Sequence, residues 1–147
     1  MMRIKKQMRD TGFTLVEIMI VVGIIVLLAA LALPGLLRSR LNANEAAAIT
    51  GLKTICWAAI TYRTTNPAYP ANLSELAGAN PSYVDSVLAT GTKQGYTFNL
   101  TGDANFFNIT ARPVTQNITG VRTFFADAAG VIRASSSGVA DNSSPAI

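Results

Sequence analysis

Glu17 is the only ionisable residue between Phe13 and Leu37, within the run FTLVEIMIVVGIIVLLAALALPGLL. A carboxylate in a membrane helix costs on the order of 2.5–3.5 kcal/mol on insertion scales, less near the interface, so this one calls for a partner. Gly12 and Phe13 stand just before it, behind a short stretch that holds Arg3, Lys5, Lys6 and Arg9. Little else in the chain suggests chemistry. With no histidine, it lacks the commonest general base and the commonest transition-metal ligand. Its single cysteine, Cys56, excludes a disulfide within the chain and sits among apolar residues in a helical stretch, where burial is expected. No pair of nucleophile and base can be assembled, so neither enzyme activity nor a cofactor is expected. Asp103, Asp127 and Asp141 lie in polar loops whose spacing matches no calcium loop, and solvated turn residues are expected there.

The elements that must position Glu17 follow from hydropathy. About 20 mainly apolar residues suffice to cross a hydrocarbon core of roughly 30 Å, and the run from Phe13 to Leu37 is long enough. Lys and Arg gather on the cytoplasmic side of a first membrane helix, which puts the N-terminus inside and the C-terminus outside. An ordinary secretory signal would place its apolar segment before a small-residue cleavage site; here the apolar segment follows Gly12. Pro34, followed by Gly35, removes a backbone donor and predicts a kink or local melting of the helix.

The net charge of +4 and a pI near 9.6 do not indicate nucleic acid. Four of the twelve bases and one of the eight acids fall in the first twelve residues, leaving eight bases and seven acids without a basic cluster. Arg38 and Arg40 form the one small local exception and read as interfacial cations beyond the anchor.

From Leu36 to about Arg63 the sequence reads as a continuing helix, with Leu41, Ala48, Ile49, Leu52, Ile55, Cys56, Ala59 and Tyr62 on one face. Trp57 falls off that stripe and faces outward. A helix unbroken from Phe13 to Arg63 would be roughly 75 Å long at about 1.5 Å per residue. TTNPAYP ends it. Asn72 with Glu75 gives a variant capping-box spacing for a short helix at Leu73 to Ala77, and Asn80-Pro81 marks a second short piece over Tyr83 to Leu88. From Gly95 the period changes to two: Tyr96, Phe98 and Leu100, then Phe107, Ile109 and Ala111, with Arg122 to Ala126 and Val131 to Ala134 as further runs. These predict an antiparallel meander of three or four strands, with Pro113 at a strand end.

GFTLVEIMIVVGIIVLLAALALPGLL resembles the N-terminal signature of type IV prepilins and of the pseudopilins of type II secretion. Many members carry Ala at the position of Gly23 and Gly at that of Val26. TGVRTFFADAAGVIR, with YTFNL before it, is similar to the C-terminal part of a pilin-like group. The resemblance implies an α+β pilin-like fold, with one long N-terminal helix, its first half transmembrane, packed against a small antiparallel meander. It also implies cleavage between Gly12 and Phe13 by a prepilin peptidase that methylates Phe13, and a meeting of Glu17 with a neighbour's N-terminus during assembly. Expected partners are further copies in a helical filament, related minor pilins, the peptidase and an inner-membrane assembly platform, but no nucleic acid.

The organisation expected is a leader over 1–12, an assembly helix over 13–37, its continuation over 38–64, a connector with short helices over 65–94, a sheet over 95–134 and a loose tail over 135–147. The function expected is that of a filament subunit, first in the bacterial inner membrane and then in an extracellular pilus. A periplasmic secretion pseudopilus is the alternative. A single-span protein presenting a small enzyme or binding module is the remote one.

Overall fold

The computed structural model describes residues 12–147, which fall into two compact units divided after Leu37. Helix α1 runs over Leu15–Thr65. In the first unit it is apolar on all sides and every described residue is exposed, as suits a segment solvated by lipid or by other helices rather than by its own chain. Helical assignment continues through Pro34 and Gly35.

In the second unit the rest of α1 becomes amphipathic. Ala48, Leu52, Ile55, Cys56 and Ala59 are buried, as their spacing predicts, while Leu41, Ile49 and Tyr62 of the same stripe are only half-buried. Five antiparallel strands follow in sequential order: β1 at Thr92–Lys93, β2 at Tyr96–Gly102, β3 at Phe107–Pro113, β4 at Thr123–Asp127 and β5 at Ile132–Ser135. Alternate residues of β2 and β3 (Tyr96, Phe98, Leu100; Phe107, Ile109, Ala111) turn into one core with the helix stripe. The register pairs Phe98 with Ala111 and Leu100 with Ile109, so the apolar faces of the two strands coincide. Pro113 closes β3, as expected.

Gly51 has a reason that helix propensity hides. A Cβ there would lie 2.8 Å from Phe98 Cζ, so the absence of a side chain lets the ring pack against the helix. At the other end of β2, Gln94 and Gly95 both have positive φ and form the two-residue loop of a tight hairpin. That hairpin creates β1, a strand of two residues too short to show as alternation.

Two expectations in the connector and tail need correction. The first short helix, α2, spans Leu73–Gly78; Asn72 Oδ1 accepts from the Glu75 amide, and Glu75 Oε2 accepts from the Ala71 amide at 2.9 Å, one residue before the cap. The second, α3, spans only Ser86–Ala89 and begins at Asp85 rather than at Asn80-Pro81, because Asp85 Oδ1 takes the Leu88 amide at 2.6 Å. Residues 135–147, expected to be loose, are tied back to the sheet. Thr123 Oγ1 donates to the Gly138 carbonyl at 2.5 Å and accepts from the Ala140 amide, and Pro145 and Ile147 hydrogen-bond alongside β5. The tail thereby covers a sheet edge that would otherwise expose unpaired amides and carbonyls.

Candidate functional site: the start of the apolar helix

Helix α1 begins with a T-x-x-E box. Thr14 Oγ1 accepts from the Glu17 amide at 3.2 Å, while Glu17 Oε2 accepts from the Thr14 amide at 2.8 Å and from the Thr14 hydroxyl at 2.7 Å. This reciprocal arrangement satisfies donors that the first turn of a helix leaves open. The spacing of Thr14 and Glu17 was readable in the sequence, but the membrane cost of the acid drew attention away from its capping role.

Gly12 and Phe13 lie just before the box, outside any helix or strand, both exposed; Phe13 is 83% accessible. Nothing lies within 4 Å of where a Cβ at Gly12 would stand. Among the described residues, Glu17 is brought together with Thr14 and with no cation. In the uncleaved chain the Phe13 nitrogen is a peptide nitrogen and carries no charge. Pro34 lies 17 residues beyond Glu17 along the sequence and forms no part of the box. The leader residues Arg3, Lys5, Lys6 and Arg9 lie outside the described residues.

The helix is long and apolar enough to cross a membrane, with none of its most apolar window buried. Residues 7–33 match the family model described as the prokaryotic N-terminal methylation motif. The chain carries this motif and is similar to type IV pilins and secretion pseudopilins. It is 38% identical over 66 residues to Type II secretion system core protein G of Vibrio cholerae, a match covering 45% of each chain. Type IV major pilin protein PilA of Myxococcus xanthus is 35% identical over 71 residues, which is 48% of this chain and 32% of that protein. Type IV wide pilus major component PilA4 of Thermus thermophilus is 37% identical over 65 residues, covering 44% and 50%. The matched segments thus span half or less of each relative's length.

A second carboxylate has no signature in the sequence. Glu45, on the α1 segment of the second unit, is only 6% exposed. Its Oε1 accepts from the amides of Val121 and Arg122 at 3.0 and 3.1 Å, and its Oε2 from Arg122 Nε at 2.8 Å. Beside it, Asn44 Nδ2 donates to the Thr119 carbonyl at 2.8 Å. Burial pushes the Glu45 carboxyl up, but the two amides and the guanidinium more than offset this and hold it below its ordinary value. The Tyr96 hydroxyl donates to the Arg122 carbonyl at 2.8 Å, and burial, reinforced by the nearby Glu45 charge, pushes it up to about 12. A Cβ at Gly120 would run into that hydroxyl. Together these contacts clamp residues 119–122, in the long loop between β3 and β4, onto the helix.

The other acidic residues serve their own loops. Asp103 Oδ1 accepts from the Asn105 and Phe106 amides, Asp127 Oδ1 from the Ala129 amide, and Asp141 Oδ1 from Ser143. No three His, Cys, Asp or Glu side chains converge among the described residues. Cys56 is buried, and its thiol is raised by that burial and by the charge of Asp127.

Proposed function

We propose that the chain is a structural subunit of a type IV pilus-like filament, made as a single-span inner-membrane precursor with its N-terminus in the cytoplasm. Prepilin peptidase cuts between Gly12 and Phe13 and methylates the new amine. The amine of one copy then pairs with Glu17 of its neighbour, in a core of low dielectric where charge attraction exceeds its value in water. Apolar contacts between the helices supply cohesion, and the charge pair checks their register.

Glu17 carries this reading. Among the described residues its hydrogen bonds come only from Thr14, which carries no charge, yet it sits in an exposed apolar helical segment under a methylation motif. The capping box provides a holding state: it lets the acid stay in the precursor helix until cleavage creates an amine. Intact mass and N-terminal sequencing of the mature chain test the processing step. A chain that begins with a methylated Phe13 is expected, and one that retains its first twelve residues in filaments contradicts it.

The match to a secretion-system core protein favours a second reading, a subunit of a periplasmic pseudopilus. Electron microscopy of producing cells separates the two. Long surface filaments support the pilus, whereas a secretion defect without filaments in a deletion strain supports the pseudopilus.

A further inference from the structure

Two exposed apolar features of the second unit have no partner within it. One is a groove of about 240 Å³ between α1 and the β4–β5 turn, lined by Cys56, Trp57, Ile60, Ala128, Ala129 and Ile132, with Lys53 at its rim. Trp57 is 71% exposed along it. The other is the clamped β3–β4 loop, which raises Ile118 to 72% exposure. We propose that Ile118 of one copy inserts into the Trp57 groove of the next, a knob-and-groove contact between heads; it rests on the filament reading above.

The geometry excludes closure within one copy. Thr119, next to Ile118, is fixed at Asn44, while the groove's helix residues begin eight positions later at Leu52 and reach Ile60. That separation is roughly 12–24 Å along the helix at about 1.5 Å per residue. The groove is also smaller than the roughly 300–1,000 Å³ of small-molecule sites, and its small lining residues Ala128 and Ala129 suit a single branched side chain. Knob and groove occupy different surfaces, so the contact is heterologous and propagates as an open assembly rather than closing a dimer.

The loop is also prepared for docking. Glu45, Asn44 and Tyr96 hold residues 119–122 from behind, so little ordering entropy is lost when Ile118 binds. Residues 114–121 carry no charge, and Lys53 is the sole ionisable rim residue besides the buried thiol, so two copies meet without like-charge repulsion. Trp at the centre of a contact is the residue type most often found to dominate binding.

Paired cysteines test this in assembled filaments. In a Cys56→Ala background, Lys53→Cys combined with Ile118→Cys, under mild oxidation, is expected to give a ladder of covalent dimers, trimers and larger species, while either single cysteine gives no ladder. Ile118→Asp and Trp57→Ala are each expected to lower the assembled fraction on the order of tenfold, with unchanged circular dichroism of the head. Three results overturn the contact: filaments that form but give no ladder, filaments unaffected by both single substitutions, and a groove cysteine that links only to a different protein. Wild-type chain that is processed yet never polymerises defeats the filament reading itself, and this contact with it.

Discussion

Helix α1 carries two glutamates whose surroundings differ in kind. Glu45 meets donors 76 and 77 residues away, so it joins distant parts of the head before any other molecule arrives. Among the described residues Glu17 meets only Thr14, three residues away, in a helix whose every described side chain up to Leu37 is exposed. An acid satisfied across the fold serves the fold. In the filament proposed above, an acid satisfied only by its own helix turn, amid surface that water will not solvate favourably, is the one that pairs with another copy.

Removing each acid should therefore break a different property. Glu17→Ala is expected to leave processing and head stability intact but to reduce filament yield by about 100-fold, consistent with the loss of a desolvated charge pair. Sedimentation of sheared filaments beside the melting curve of the detergent-solubilised chain checks both. Glu45→Ala is expected to do the reverse first, costing about 2–4 kcal/mol of head stability, because two loop amides and a guanidinium lose their acceptor. Chemical denaturation followed by the near-ultraviolet signal measures it.

Gly51→Ala sharpens the comparison within the head. Helix propensity alone predicts a gain of about 1 kcal/mol. The 2.8 Å approach of Phe98, a buried ring, predicts instead a net loss of about 1–3 kcal/mol. A more stable variant on denaturation would show that the ring can move aside.

The smallest effect is on pH. Because the folded Glu45 carboxyl lies below its ordinary value of 4.5, its contribution is complete above that pH and is lost as the pH falls through the folded value. The wild-type head should lose stability in acid below about pH 4.5 more steeply than Glu45→Gln, which has no charge to lose. Parallel melting curves from pH 7 to 3 would show the two converging.

Much of this was legible in the residues. The alternation of Tyr96, Phe98 and Leu100 and the helical spacing of Ala48, Leu52, Ile55 and Ala59 located the sheet and the face it covers, since periods of 2 and 3.6 follow directly from backbone geometry. Glu17 stood out because a carboxylate in an apolar run is costly, and Phe13 because the run from Gly12 resembles the prepilin signature. Glu45 did not, because its main partners are backbone amides of Val121 and Arg122, and an amide has no sequence signature. The start of α3 was misplaced because Asp85 outcompeted Asn80-Pro81 as a cap. The tail was misjudged for a related reason: a run of Ser and Gly looks unstructured until Thr123 offers it a hydroxyl that both donates and accepts.

The pairing of Glu17 with a neighbour's amine is best tested in filaments assembled from two pools of subunit, one labelled only with nitrogen-15 and the other only with carbon-13. Solid-state magnetic resonance should then show transfer between the Phe13 amine nitrogen and the Glu17 carboxyl carbon, at a separation of about 4 Å, where a charge pair in a dry core is strong. Transfer that occurs only when both labels share one chain, or not at all in well-ordered filaments, would contradict the account.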